Sequence, residues 1–297
     1  MTARCSNCYR AARLLFRAED WNRRITRESF AYYRCNACGL IFLFPVPVDL
    51  GDYYPQDYYT FPRGLAEVVR AAEMERYKID ILRRFKSGGR LLEIGPSWGG
   101  FLYLAKQAKF EAEAIEMDPA CCDFIRDVVG VPAVQSKDPM QAIRDMGPFD
   151  VVALWHVIEH IPEVWDTLAI VAGRVNPGGI LVIAAPNPRS LQFQIQGRRW
   201  PHVDAPRHVL LAPSSLLAHR LRSKGLITVW ETTDDPGSRG WNTFGWEYFF
   251  MNLSRRMRMK QLLRALGAGI SLVLAPLERR EGKGSAYTIV FRKEQCL

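Results

Sequence analysis

The stretch Arg90–Phe101, RLLEIGPSWGGF, constrains this 297-residue chain more than any other. Leu91-Leu92-Glu93-Ile94 is a short apolar run of the kind that forms a buried parallel strand. It breaks at Gly95-Pro96-Ser97 and continues as a helical pattern through Gly99, Gly100, Phe101, Leu102 and Leu104. A strand, a glycine turn and a helix in that order let a ligand approach the backbone closely at a helix N-terminus. An acid stands where such a unit places a ribose binder: Glu116 ends the next strand, AEAIEMD, about twenty residues on.

Two cofactor classes use this unit. A nicotinamide or flavin dinucleotide needs G-x-G-x-x-G, and Gly95-Pro96-Ser97-x-x-Gly100 is a degraded copy. S-adenosylmethionine is held by E/D-x-G-x-G-x-G, which Glu93, Gly95 and Gly99 match, with Ser97 in place of the middle glycine. The acid two residues before the first glycine favours the second class. An adenosylmethionine ammonium calls for an acidic, carbonyl-rich turn, whereas a pyrophosphate prefers bare amides.

Strand and helix patterns alternate on either side of this unit. A helical pattern over 65–85 leads into it. Strands are expected at Ala112–Met117, Ala133–Gln135, Phe149–Trp155, Ile180–Ala185 and Leu226–Glu231, and a last one at Ala286–Arg292. Helices fall between them, near 120–129, 164–175 and 214–224. The blocks LLEIGPSWGG, IEMDP, FDVVALWHVIEHIP and NPGGILVIAAPN occur in the order and spacing of the class I S-adenosylmethionine-dependent methyltransferases, and over Leu91–Glu231 plus the last strand the chain resembles them.

That resemblance implies an α/β fold: a doubly wound, mostly parallel seven-stranded sheet in the order 3-2-1-4-5-7-6, its last strand antiparallel. It further implies S-adenosyl-L-methionine as cofactor. Glu93, Gly95 and Gly99, with Pro96 and Ser97 in the same turn, would frame the methionine end. Glu116, followed by Met117, would hold the ribose hydroxyls, and Trp155 and His156 would lie close to the cofactor.

Cysteine spacing carries a second signal. Cys5-x-x-Cys8 and Cys35-x-x-Cys38 are two knuckles separated by 26 residues, suited to a tetrahedral structural Zn²⁺ in a ribbon whose hairpin would use Ser29–Arg34. A disulfide pair is the alternative, disfavoured because Met1–Arg13 shows no apolar export signal. Cys121, Cys122 and Cys296 have no ligand spacing and read as packing residues. The expected organisation is a zinc ribbon over 1–44, a linker and leading helix over 45–86, and a methyltransferase domain over 87–297 with a helical insertion at about 241–280. The proline- and tyrosine-rich FPVPVDLGDYYPQDYYTF is read as an extended linker with aromatic anchors, ahead of a reading in which its tyrosines line a substrate groove.

Methyl transfer to a hydroxyl requires alignment and a base. With five histidines the candidates are few: His156 and His160 around Glu159 in WHVIEH, and His208 in RRWPHVDAPRH. Both segments follow strand ends, where open α/β sheets bind ligands. Arg207 could pair with a carboxylate or phosphate. A divalent metal on His156, Glu159 and His160 ranks below the base reading. The insertion carries Trp241, Phe244, Trp246, Tyr248, Phe249 and Phe250, then Arg255–Lys260, then the 13-residue apolar run ALGAGISLVLAPL, too short to span a bilayer. It is expected to close over the methyl group.

The net charge of +9 suggests an anionic partner or simply a basic enzyme. The reading is a cytoplasmic methyltransferase, O-directed, acting on a sugar or other small bacterial metabolite. Its acceptor could be phosphate-bearing or lipid-linked. Peripheral membrane contact through the basic insertion is open, and the oligomeric state is not legible. An RNA methyltransferase is the first alternative, opposed by ALWHVIEH where base amino-group enzymes carry N/D-P-P-Y/F; a non-catalytic ribbon protein is the second.

Overall fold

A computed structural model describes residues 3–55 and 58–295; Cys296 lies outside the described residues. Seven strands form the main sheet: β1 (Gly89–Ile94), β2 (Phe110–Glu116), β3 (Ala133–Gln135), β4 (Phe149–Trp155), β5 (Val175–Pro186), β6 (Leu226–Thr232) and β7 (Ala286–Lys293). Their order is 3-2-1-4-5-7-6. The first five are parallel, and β7 runs antiparallel between β5 and β6. This is the sheet implied by the resemblance.

The sheet is buried on both faces, which explains the near-continuous apolar runs of β1, β4 and β5. Alternate side chains point opposite ways. Leu91, Val151 and Val182 pack beneath α1 (Arg76–Arg83) and α2 (Gly100–Gln107). Leu92, Val152 and Leu181 face a second core with Leu168 and Leu217 from the helices Val164–Gly173 and Ser214–Arg222.

That second core also contains the N-terminal module. Its strands Ala11–Glu19, Ser29–Cys35 and Ile41–Leu43 form an antiparallel meander, which Leu210–Leu211 extends by pairing with Ile41–Leu43. Tyr32, Leu40, Ile41 and Leu43 are buried in one cluster with Val164 and Leu168. The ribbon sheet therefore takes its last strand from the segment that follows β5.

The leading helical pattern is broken: Leu65–Ala72 and α1 are separated by a 3-10 turn at Glu73–Glu75, which sets Glu75 2.6 Å from Lys78. The insertion before β7 is a helical hairpin, α3 (Pro236–Met251) and α4 (Met257–Glu278).

Candidate functional site

The turn after β1 follows from its small residues. Gly95 sits at φ 69°, and a Cβ there would meet Val157 Cγ2 at 2.7 Å, so only glycine fits between the strand and the WHVIEH segment. Ser97 adopts φ 56°, a left-handed conformation rare for residues with a Cβ. Its N–H donates to Glu116 Oε2 at 3.0 Å, and Glu116 Oε1 accepts from the N–H groups of Met117 (2.7 Å) and Asp118 (3.0 Å). One carboxylate thus ties the turn after β1 to the end of β2. Burial raises its pKa, against the lowering effect of those three donors. A carboxylate offers about four lone-pair positions, so capacity for one further donor remains.

Beyond this turn opens a cavity of about 490 Å³. Gly95, Ser97, Glu116 and Met117 line it, with Ser136–Met140 and with Trp155, His156 and His160. Tyr54, Tyr58 and Tyr59 complete the wall. The tyrosines were read first as anchors of an extended linker, and the structure favours the groove-lining alternative. Tyr54 Oη sits 2.8 Å from His160 Nδ1. Burial raises the pKa of all three phenols, that of Tyr58 to about 12.

Glu93, Pro96, Gly99 and His208 are not among the described residues lining the cavity. Glu93 lies buried beneath the turn, and burial pushes its pKa up to about 8, partly opposed by Lys78. Its Oε2 has no hydrogen-bond partner. The Lys78 ammonium sits against Glu75 and over the rings of Trp155 and Phe101.

The helical insertion was expected over the methyl group, but among the described residues none of it lines the cavity. Ser238 Oγ donates to Ala286 O and Thr288 Oγ1 to Asp235, which hold α3 against β7. Trp241 reaches toward the site, its ring 4.7 Å from that of His156.

The histidines form a cluster around Glu159. His156 ends β4 at φ 58°, held by its N–H on Ala184 O at 2.9 Å, with Nδ1 3.5 Å from Glu159 Oε1. His160 Nδ1 lies 2.8 Å from Tyr54 Oη and 3.2 Å from Arg207 O. A carbonyl only accepts, so Nδ1 carries the proton and Nε2 the lone pair. His208 is oriented the same way, with Nδ1 2.8 Å from His202 O, and its ring stands edge-on to that of His160 at 4.6 Å. Burial lowers the pKa of His156 to about 3 and of His160 to about 4, with Lys78 and His208 adding to it, respectively. Glu159 is buried with neither carboxylate oxygen hydrogen-bonded, and burial raises its pKa. The group with metal-ligand proximity is Glu159, His160 and His208, their ligand atoms within 4.8 Å, rather than the His156, Glu159 and His160 set.

Arg207 pairs with carboxylates, but they are the protein's own. Its Nη2 lies 2.6 Å from Asp20 and 2.8 Å from Asp204, and the Arg207–Asp20 pair is fully buried. This arginine is not free for a substrate.

The four cysteines of the knuckles converge. Sγ atoms lie 3.5 Å apart for Cys5 and Cys38, 3.4 Å for Cys8 and Cys35, and 3.9 Å for Cys8 and Cys38. Four thiolates about 2.3 Å from a tetrahedral zinc stand about 3.8 Å apart, and a disulfide needs about 2.05 Å. The donor set fits zinc, and all four thiols are free.

The sequence profile of the methyltransferase domain family matches residues 69–230. A ubiquinone biosynthesis O-methyltransferase from Azorhizobium caulinodans is 31% identical over 114 residues, which cover 36% of this chain and 44% of that protein. The chain therefore spans less than half the length of this curated relative. Among solved structures, a SAM-dependent methyltransferase from Archaeoglobus fulgidus superposes with a TM-score of 0.52 at 20% identity, over 75% of this chain and 94% of that one. Phosphoethanolamine N-methyltransferase 2 of Haemonchus contortus, in complex with S-adenosyl-L-methionine, gives 0.54 at 15% identity, over 95% and 71%. At these identities the structures share the fold.

Proposed function

This chain belongs to the methyltransferase domain family, and from that premise we propose an S-adenosylmethionine-dependent O-methyltransferase acting on a small, ring-bearing hydroxyl compound such as a sugar. The observation that carries this reading is a single cavity lined by Glu116, by neutral His156 and His160, and by three tyrosines. Glu116 accepts from a ribose hydroxyl, and Gly95, Ser97 and Met117 bring backbone close to the nucleoside. Bound S-adenosyl-L-methionine supplies an electrophilic methyl group on a sulfonium. His160 takes the proton of the acceptor hydroxyl at Nε2, while Arg207 O and Tyr54 hold its Nδ1–H in place. Glu159, buried and otherwise unpartnered, offsets the charge of the resulting imidazolium. His156 and Trp155 shape the wall beside the methyl group, and His208 orients the cluster from outside the cavity.

Three observations support the acceptor class. The cavity volume falls in the range of small-molecule sites. Its tyrosines and histidines suit contact with a ring. The A. caulinodans relative is by name an O-methyltransferase. Cys5, Cys8, Cys35 and Cys38 hold one structural zinc, and free thiols suit a reducing, cytoplasmic setting. The test is S-adenosylhomocysteine release with a panel of hydroxyl-bearing sugars and phenols, beside bulk RNA. Turnover with a small hydroxyl acceptor supports the reading. Methylation of RNA alone would replace it with the polynucleotide alternative.

A further inference from the structure

We propose that α4 docks the protein on an anionic lipid surface. The helix is built inside out. Its inward stripe is Leu263, Gly267, Ile270, Ser271, Leu274 and Glu278, of which only the glycine, the serine and the glutamate are fully buried. Small and polar residues therefore make its closest contacts with α3: a Cβ at Gly267 would meet Trp246 O at 2.6 Å, and Glu278 Oε1 accepts from Trp246 Nε1 and Gln192 Nε2.

A stripe along one side of the helix, about a quarter turn round from the inward one, carries Met259, Leu262, Leu266, Val273 and Leu277 into solvent. Leu262 is 66% exposed and Val273 77%, and on the flank Leu272 is 78% exposed. A contiguous apolar surface of this kind marks a docking face rather than scattered surface residues.

Charge selects the occupant. Arg255, Arg256, Arg258 and Lys260 cluster at the start of the helix, and Arg280 lies just past its end. None of these five is in an ion pair among the described residues. From Leu253 to Arg280 the only carboxylate is Glu278, which is buried. A leucine-rich stripe bracketed by unpaired arginines matches the boundary between acyl chains and anionic headgroups, where the arginine stems lie along apolar surface. A second copy of the chain would set these cations against one another. A nucleic acid would engage the arginines and leave the leucines uncovered.

The helix lies on the surface rather than crossing it. At 22 residues it is about 33 Å long, but both ends are tied to the same body, one through the short turn from α3 and the other through Glu278.

The experiment is co-sedimentation of the full chain with phosphatidylcholine vesicles and with phosphatidylcholine–phosphatidylglycerol vesicles, each at low and high salt. The wild type partitions onto the phosphatidylglycerol vesicles, less so at high salt and weakly onto phosphatidylcholine alone. The variant Leu266→Ser/Val273→Ser loses on the order of tenfold or more of that partitioning, while its circular dichroism and adenosylmethionine binding stay at wild-type values. These variants touch no residue of the cavity, so the outcome is independent of the acceptor. Absence of partitioning at low salt, or equal partitioning by the folded variant, overturns the proposal. So does reversible self-association of the wild type that the variant abolishes without any vesicle binding, which assigns the face to a second copy.

Discussion

The Glu116 carboxylate holds the site together through three backbone N–H groups before any ligand arrives. Glu116→Ala removes those contacts and the ribose contact together. Adenosylmethionine affinity should fall by about 1.5–3 kcal/mol, roughly tenfold to a hundredfold, in calorimetry. Tighter binding of NAD than of adenosylmethionine by the wild type would refute the cofactor assignment. His160→Ala should lower kcat by about 10²-fold or more, whereas His208→Ala, outside the cavity, should retain most of it. If neither variant slows turnover of an identified hydroxyl acceptor, the enzyme works by positioning alone. The pH dependence has a definite sign. His156 and His160, with pKa values lowered by burial to about 3 and about 4, stay neutral in the folded state while their unfolded counterparts protonate near about 6.5. The unfolded state then binds more protons, so stability falls as pH drops from about 6.5 toward about 4. The denaturation midpoint should shift down over that window, while kcat/KM should keep its neutral-base plateau well below pH 6.5. Gly95 and Glu116 of the cavity wall were legible because their constraint is local, whereas Glu93 and Gly99 of the same motif do not line it. The three tyrosines of the wall were not, since an aromatic-rich linker has one composition whether it packs on a surface or over a cavity.

Strands announced themselves where both faces are buried, through the apolar runs Leu91-Leu92, Val151–Trp155 and Ile180–Ala185, although β5 starts earlier than expected, at Val175, and runs through Asn176-Pro177-Gly178-Gly179. The strand Ala11–Glu19 did not, because it is largely exposed and charges at Arg13 and Arg17 bracket its short apolar run Leu14-Leu15-Phe16. Its partner Ser29–Cys35 did, through Phe30, Ala31, Tyr32 and Tyr33. Four converging sulfurs make the ribbon's zinc a prediction of metal content. Mass spectrometry under native conditions should find about one zinc per chain, lost in Cys35→Ser. A reduced protein that folds and binds adenosylmethionine without metal would rule the zinc out. The helical hairpin was legible as apolar and basic composition, but not its orientation, because Gly267 and Ser271 rather than the leucines make the close contact. Gly267→Ala tests that contact. Alanine favours an isolated helix by about 1 kcal/mol, yet the added methyl would press on the Trp246 carbonyl. The net effect should be a destabilisation of about 1–3 kcal/mol, read as a lowered melting temperature.

Across the whole molecule, the contact least visible in the sequence joins residues 187 apart. Arg207 pairs with Asp20 of the ribbon and with Asp204, and its Nη1 donates to Tyr53 O at 3.1 Å, just before the tyrosine wall. Its own carbonyl faces His160 Nδ1. Tyr32 of the ribbon donates to His208 O at 2.8 Å, and Leu210–Leu211 completes the ribbon sheet. No periodicity or motif encodes such pairs, which exist only once the sheet has brought the segment after β5 against the N-terminus. The ribbon and the larger domain, separable by composition, therefore share the core on one face of the sheet, the leading helix packs on the other, and we propose that all three unfold together. Asp20→Ala leaves Arg207 paired with Asp204 but strips its Nη2 of a buried partner, and a buried donor left unsatisfied costs about 1–3 kcal/mol. Asp20→Ala should accordingly lower global stability by about that amount, and it should also weaken methyl transfer by loosening Arg207 and with it His160. Removing zinc should act in the same direction through the ribbon strands. Denaturant unfolding followed by tryptophan fluorescence and by release of zinc to a chromogenic chelator should give one coincident transition. If zinc leaves in a separate, earlier step while adenosylmethionine binding persists, the ribbon is an independent appendage and the Arg207 link does not reach the site.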